Sequence, residues 1–144
     1  MTGVDHADPA ALFVYGTLKR GECRELCWPH PPLEVRHAVV TAALYDLGLY
    51  PALGEGEDRV EGEIWYLSPS QMESTLAVLD EIECYHRAET DLYVRRIIEC
   101  VDQQGQTHRA FTYFYAPTQT LPPEGRVAPG ADGLCRWSGR GPQR

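Results

Sequence analysis

The chain alternates short apolar runs with polar, glycine-bearing breaks. Leu12 to Tyr15 is wholly apolar and stops at Gly16, which predicts a buried strand. Val35 to Tyr45, rich in Val, Ala and Thr, predicts a second strand that ends near Asp46, Leu47 and Gly48. Tyr50-Pro51-Ala52-Leu53 leads into an acidic stretch, Gly54 to Asp58, expected as a loop. Val60 to Leu67 reads as a third strand, with Val60, Gly62, Ile64 and Tyr66 on one face and Trp65 and Leu67 on the other. Leu92 to Val101 and Arg109 to Ala116 flank Gln103-Gln104-Gly105, the pattern of an antiparallel hairpin.

One segment has helical spacing. Ser68 is placed to N-cap it, Pro69 suits the first helical position, and Gln71 completes a Ser-x-x-Gln capping box. Met72, Leu76 and Leu79 form its apolar stripe. Residues 1–11 read as a flexible leader, 12–116 as the patterned domain, and 117–144 as a Pro/Gly-rich tail, anchored by Leu134 or Trp137. Strands outnumber helices. The expected fold class is α+β, a small mixed or antiparallel β-barrel with one or two packed helices.

Composition narrows the function classes. A length of 144 residues allows one core, and a net charge of −8 argues against nucleic acid or an anionic membrane as partner. The apolar runs are of strand length, short of the ~20 residues a membrane helix needs. The first residues lack the basic and apolar regions of a signal peptide, so a cytoplasmic location is expected. Five cysteines with no C-x-x-C pair point to reduced thiols. Cys23, Cys27 and Cys84 have no histidine paired to them by spacing, and His30 and His86 do not supply one. His6, Asp8, His108 and the acidic stretch at Glu55, Glu57 and Asp58 lack metal-ligand spacing, so no metal is expected.

Two places look chemical. Extending the stripe Met72, Leu76, Leu79 by four residues lands on Glu83, a carboxylate where a core-facing side chain is expected. Burial there raises a carboxyl pKa and suits it to acid/base work. Asp80, Glu81 and Glu83 also crowd a helix C-terminus, where the macrodipole disfavours negative charge. The alternative is a frayed, exposed end balanced by His86 and Arg87. The second place is the turn after the first strand, Tyr15 to Gly21. Gly16 permits backbone geometries in which successive N–H groups share one concavity, and Lys19 and Arg20 add positive potential. An ordinary surface turn is the alternative.

The segment Val14-Tyr15-Gly16-Thr17-Leu18-Lys19-Arg20-Gly21 resembles the opening signature of the γ-glutamylcyclotransferase-like proteins, closest to the γ-glutamylamine cyclotransferase and AIG2-like branch. Leu44-Tyr45-Asp46 with Tyr50-Pro51-Ala52, Val60-Glu61-Gly62-Glu63-Ile64-Trp65, Leu79-Asp80-Glu81-Ile82-Glu83, Tyr93-Val94-Arg95 and Tyr113-Phe114-Tyr115 resemble later family segments in the family's order. The resemblance covers residues 12 to about 116. It implies that Glu83 is the catalytic acid/base and that Tyr15, Gly16, Thr17 and Leu18 form the binding turn with its backbone donors. It adds Tyr93, Arg95 and Tyr115 as candidate substrate-binding residues. It also implies a reaction that turns a γ-glutamyl amine or γ-glutamyl amino acid into 5-oxoproline and free amine without metal or cofactor.

This sequence departs from the family where a short polar residue such as Asn is usual after Lys-x-Gly; Glu22-Cys23-Arg24-Glu25 stands there. The following loop, with Trp28 and three prolines, is also its own. The expected protein is a cyclotransferase acting on a small γ-glutamyl substrate, as a monomer or weak homodimer. The other reading is a non-catalytic small-molecule binding or regulatory module on the same fold.

Overall fold

The computed structural model describes residues 9–22, 24–48, 50–83, 85, 91–116 and 120–137. Most of the leader, the last seven residues of the tail, Cys23, Cys84, His86 and Arg87 lie outside this set.

Five strands close on themselves: β1 (Ala11–Val14), β2 (Glu34–Asp46), β3 (Pro51–Tyr66), β4 (Tyr93–Asp102) and β5 (Thr107–Tyr115). Their order is β1-β5-β4-β2-β3, with β3 returning to β1. The β1–β5 pair is parallel and the other neighbours are antiparallel, which makes a mixed barrel. Closure removes the open sheet edges that a flat arrangement of these strands would expose.

Alternation along the strands supplies two apolar layers. Phe13, Tyr15, Val40, Leu44, Leu53, Val60, Ile64, Cys100 and Phe114, drawn from all five strands or the turn after β1, form the inner layer. Leu12, Val14, Trp65, Tyr93, Phe111 and Tyr113 face outward and are covered by the helix α1 (Met72–Ile82) through Met72 and Leu79. Leu79 is fully buried, and Thr75 shares that face.

Three local expectations change. The acidic stretch is strand, not loop: β3 runs from Pro51, and its pairing with β2 jumps from Ala42–Asp58 to Ala43–Gly54, so residues 55–57 bulge in mid-strand. Glu55 there meets Arg96 and Asp58 meets Arg126, which explains acidic residues in a strand. The capping box does not form. Residues 69–71 make a 3-10 turn in which the Gln71 N–H donates to the Ser68 carbonyl, and the Ser68 hydroxyl lies against that of Ser70. The third concerns the Pro/Gly-rich segment: residues 120–137 pack along the barrel. A short strand, β6 (Leu134–Cys135), pairs parallel with β3, and Cys135 and Trp137 are buried in the inner layer. Trp137 anchors this segment and Leu134 is half-buried.

The hairpin forms as expected, with Gly105 at φ +82° in its turn and Asp102 accepting from the Gln104 and Gln106 N–H groups. Among the described residues no helix is long and apolar enough to cross a membrane. Cys27, Cys100 and Cys135 are free thiols.

Candidate active site

The end of β1, the turn that follows it, the end of α1 and the start of β4 converge on a cavity of about 170 Å³. Its walls include Tyr15, Gly16, Thr17, Leu18, Arg24, Tyr50, Pro51, Glu83, Leu92, Tyr93 and Tyr113. A space of this size suits the head of a small molecule.

Glu83 enters it because the helix stops there. Its N–H still donates to the Leu79 carbonyl at 2.9 Å, so the side chain keeps the direction of the buried stripe while the backbone leaves the helix. The carboxyl is half-buried, and burial pushes it up to about 7, against the pull of the Arg24 positive charge. The neighbouring acids are separated by their partners. Asp80 accepts from Arg95 at 2.5 Å and from the Tyr113 hydroxyl at 2.6 Å, while Glu81 is exposed. The acidic helix end is therefore one structural carboxylate, one exposed one and one aimed at a cavity.

The turn after β1 forms the facing wall. Gly16 has no left-handed φ, contrary to the expectation that conformational freedom is its purpose. A Cβ at Gly16 would sit 2.4 Å from Pro51 Cγ, so glycine is required by close packing on Pro51. Thr17 and Leu18 are buried. Among the described residues, no backbone carbonyl takes the N–H groups of Gly16, Thr17 or Leu18. The turn is held from behind instead: the Arg24 N–H donates to the Thr17 carbonyl at 2.8 Å and the Trp28 indole to the Leu18 carbonyl at 3.0 Å. Trp28 stacks on Trp65 with centroids 4.3 Å apart.

Tyrosines line the rest. The Tyr93 hydroxyl donates to the Pro51 carbonyl at 2.8 Å and the Tyr15 hydroxyl to the Tyr113 carbonyl at 2.5 Å. Burial pushes all three phenols, Tyr15, Tyr93 and Tyr113, far above the usual tyrosine range, with Glu83 adding to the effect. They are neutral walls with committed protons.

The structure thus brings Glu83, Tyr15, Gly16, Thr17, Leu18 and Tyr93 together and leaves two expected residues out. Arg95 is drawn to Asp80 and lies over Phe111, and Tyr115 packs edge-on against Tyr93 at 5.4 Å without reaching the cavity. Both support a wall from behind. Lys19 and Arg20 are also engaged elsewhere: Lys19 donates to the Trp137 carbonyl at 2.8 Å, and the Arg20 guanidinium lies over Trp65. The cation on the wall is Arg24, which the sequence marks only as a departure from a usual short polar residue. Tyr50 and Pro51 were visible as part of a motif, but not as cavity residues. Among the described residues no group of three His, Cys, Asp or Glu side chains is placed to hold a metal ion.

Comparison with known proteins bears on this geometry. A family model described as gamma-glutamyl cyclotransferase, AIG2-like, matches residues 12–132. A Niallia circulans protein named gamma-L-glutamyl-butirosin B gamma-glutamyl cyclotransferase is 38% identical over 106 residues, 72% of this chain and 65% of its own length. A Vibrio cholerae relative is 42% identical over 73 residues, covering 50% of this chain and 60% of its own. The chain therefore spans less than two thirds of the curated relatives it matches. The crystal structure of an AIG2-like protein from Mus musculus, 27% identical, superposes with a TM-score of 0.54 over 95% of this chain and all of that one.

Proposed function

This chain belongs to the AIG2-like gamma-glutamyl cyclotransferase family, and we propose that it converts a small γ-glutamyl amine or γ-glutamyl amino acid into 5-oxoproline and the free amine, with Glu83 as acid/base. One observation carries the reading: a half-buried carboxylate with its pKa raised to about 7 shares a small cavity with Gly16, Thr17 and Leu18, whose amide N–H groups meet no backbone carbonyl among the described residues.

The substrate's own α-amino nitrogen is the nucleophile, so no side chain has to be. Intramolecular attack reaches effective molarities of about 10⁵ M or more, which leaves proton transfer and charge on oxygen as the remaining barriers. Ionised Glu83 takes one proton from the α-ammonium. The freed amine attacks the γ-carbonyl carbon, and the oxygen that becomes negative is met by the N–H groups of the Gly16–Leu18 turn. The new ring C–N bond forms and the γ-carbon–nitrogen bond to the leaving group breaks. Glu83 returns its proton to the departing nitrogen, and the second proton shed by the ring nitrogen ends there too. A substrate ammonium has become a lactam N–H and a leaving amide has become an ammonium, so charge balances. A carboxyl with a pKa near 7 suits both the taking and the giving.

The test is 5-oxoproline release by the purified protein from γ-glutamyl amino acids, γ-glutamyl amines and ε-(γ-glutamyl)-lysine, with glutathione as control. Glu83→Gln is expected to fold and to lose turnover by at least about 100-fold. Turnover surviving in that variant rejects the mechanism. Thermal stabilisation by γ-glutamyl compounds without product over long incubation would favour a binding module instead.

A further inference from the structure

The reaction leaves the choice of departing amine open, and Arg24 is placed to make it. Arg24 contributes the cationic side chain of the cavity wall, and among the described residues no salt bridge or hydrogen bond holds its guanidinium, whose charge acts on Glu83 across the cavity lining. That separates it from Lys19, Arg20 and Arg95, whose heads are occupied by a carbonyl, an indole face and a carboxylate. Its backbone is well fixed. The Arg24 N–H is tied to Thr17, its carbonyl accepts from the Cys27 N–H at 3.0 Å, and the Gly21 N–H donates to the Glu25 carboxylate at 2.9 Å. The charge of its side chain acts on two wall groups, Glu83 and Tyr93.

The cavity wall has a buried part and an open part. Tyr15, Thr17 and Leu18 are at most 7% exposed, whereas Tyr50 and Leu92 are 37% and 38% exposed and Arg24 is half-buried. The ring-forming glutamyl head needs the buried part, where Glu83 and the open amides are. The leaving group must exit to solvent, so it occupies the open part, beside Arg24, Tyr50 and Leu92.

We infer that Arg24 is a specificity-determining residue that selects γ-glutamyl substrates whose departing amine carries a carboxylate, γ-glutamyl amino acids, over those whose departing amine is uncharged or cationic. The inference rests on the cyclotransferase reading. A leaving-group carboxylate gains a partner in a partly desolvated site, and an amine bearing extra positive charge is repelled by the same guanidinium. Tyr50 and Leu92 add apolar contact but no choice of charge.

A matched pair of probes isolates the effect: γ-glutamyl-alanine and γ-glutamyl-ethylamide, whose leaving amines differ by the carboxylate alone. The ratio of their kcat/KM values is the readout, because any influence of Arg24 on Glu83 is common to both and cancels. The wild-type protein is expected to prefer γ-glutamyl-alanine by about tenfold. Arg24→Gln should bring the ratio near one, Arg24→Glu should invert it, and Arg24→Lys should keep part of it. A second measurement needs no variant: rising salt should lower kcat/KM for γ-glutamyl-alanine more than for γ-glutamyl-ethylamide. A wild-type preference for the ethylamide, or a ratio unmoved by both substitutions and by salt, overturns the inference while leaving the cyclotransferase reading intact. Failure to release 5-oxoproline from either probe overturns that reading, and the inference with it.

Discussion

Glu83 makes a single carboxyl group the link between stability and, in the proposed reaction, turnover. Its free value is 4.5 and its folded value about 7, so between these pH values the native chain keeps a proton that the unfolded chain has lost. Stability from this group therefore falls as pH rises from 4.5 to 7, and the cost persists above 7. Glu83→Gln removes that cost. Urea unfolding at pH 5 and pH 8 should show the variant gaining on wild type as pH rises, by up to on the order of 3 kcal/mol. In the proposed reaction the same titration sets the acid limb of kcat/KM near pH 7, since a neutral Glu83 cannot take the ammonium proton. A pH profile with no limb there would separate the carboxyl from catalysis. Near it, Asp80 illustrates how a neighbour of the same charge is given a different task, held by Arg95 and the Tyr113 hydroxyl.

At the scale of elements, the site depends on how closely the turn after β1 lies on the start of β3. Gly16 and Pro51 meet with no space for a Cβ, and Pro51 also takes the Tyr93 hydroxyl. Gly16→Ala must push the turn away, moving the amides relative to Glu83 by more than a hydrogen bond tolerates. A fall of at least about 100-fold in kcat/KM is expected, with unfolding little changed beyond ~1–3 kcal/mol. Activity close to wild type in Gly16→Ala would mean that the turn is not the oxyanion wall. The strand-to-turn switch was legible in the sequence because Leu12–Tyr15 is wholly apolar and Gly16 ends it. The reason for the glycine was not legible, because Pro51 is 35 residues away in the chain and only barrel closure brings it near.

Over the whole molecule, the barrel is finished by a segment that sequence composition assigns to a loose tail. Trp137 is 3% exposed, donates its indole N–H to Asp46 at 3.1 Å and accepts from Lys19 at its carbonyl. It thus fastens the chain beyond β5 to both the end of β2 and the turn beside the cavity. Trp137→Ala should cost about 3–5 kcal/mol in urea unfolding, because it removes a buried ring and its indole bond to Asp46 while the backbone carbonyl that Lys19 reaches remains. An unfolding free energy within 1 kcal/mol of wild type would show that this segment does not brace the barrel. The net charge of −8 takes on a different meaning at this scale. Arg36, Arg95, Arg96, Arg126 and Arg136 are each paired with carboxylates, which leaves Arg24 facing a cavity in a chain with few cations to spare.

Local patterns were enough for β1, β2, the second half of β3, the hairpin of β4 and β5 and the helix, because period-two and 3.6-residue spacings are written in neighbouring residues. They also isolated Glu83, since a carboxylate on an apolar stripe contradicts its surroundings within one helix. Tertiary structure decided what depends on residues far apart in sequence. It turned the acidic stretch into a bulged strand by facing it with Arg96 and Arg126, and it withdrew Arg95 and Tyr115 from the cavity through Asp80 and Tyr93. It also placed Arg24 on the wall by folding its loop back onto Thr17. A charge takes its role from the partners that reach it, and those partners are set by barrel closure.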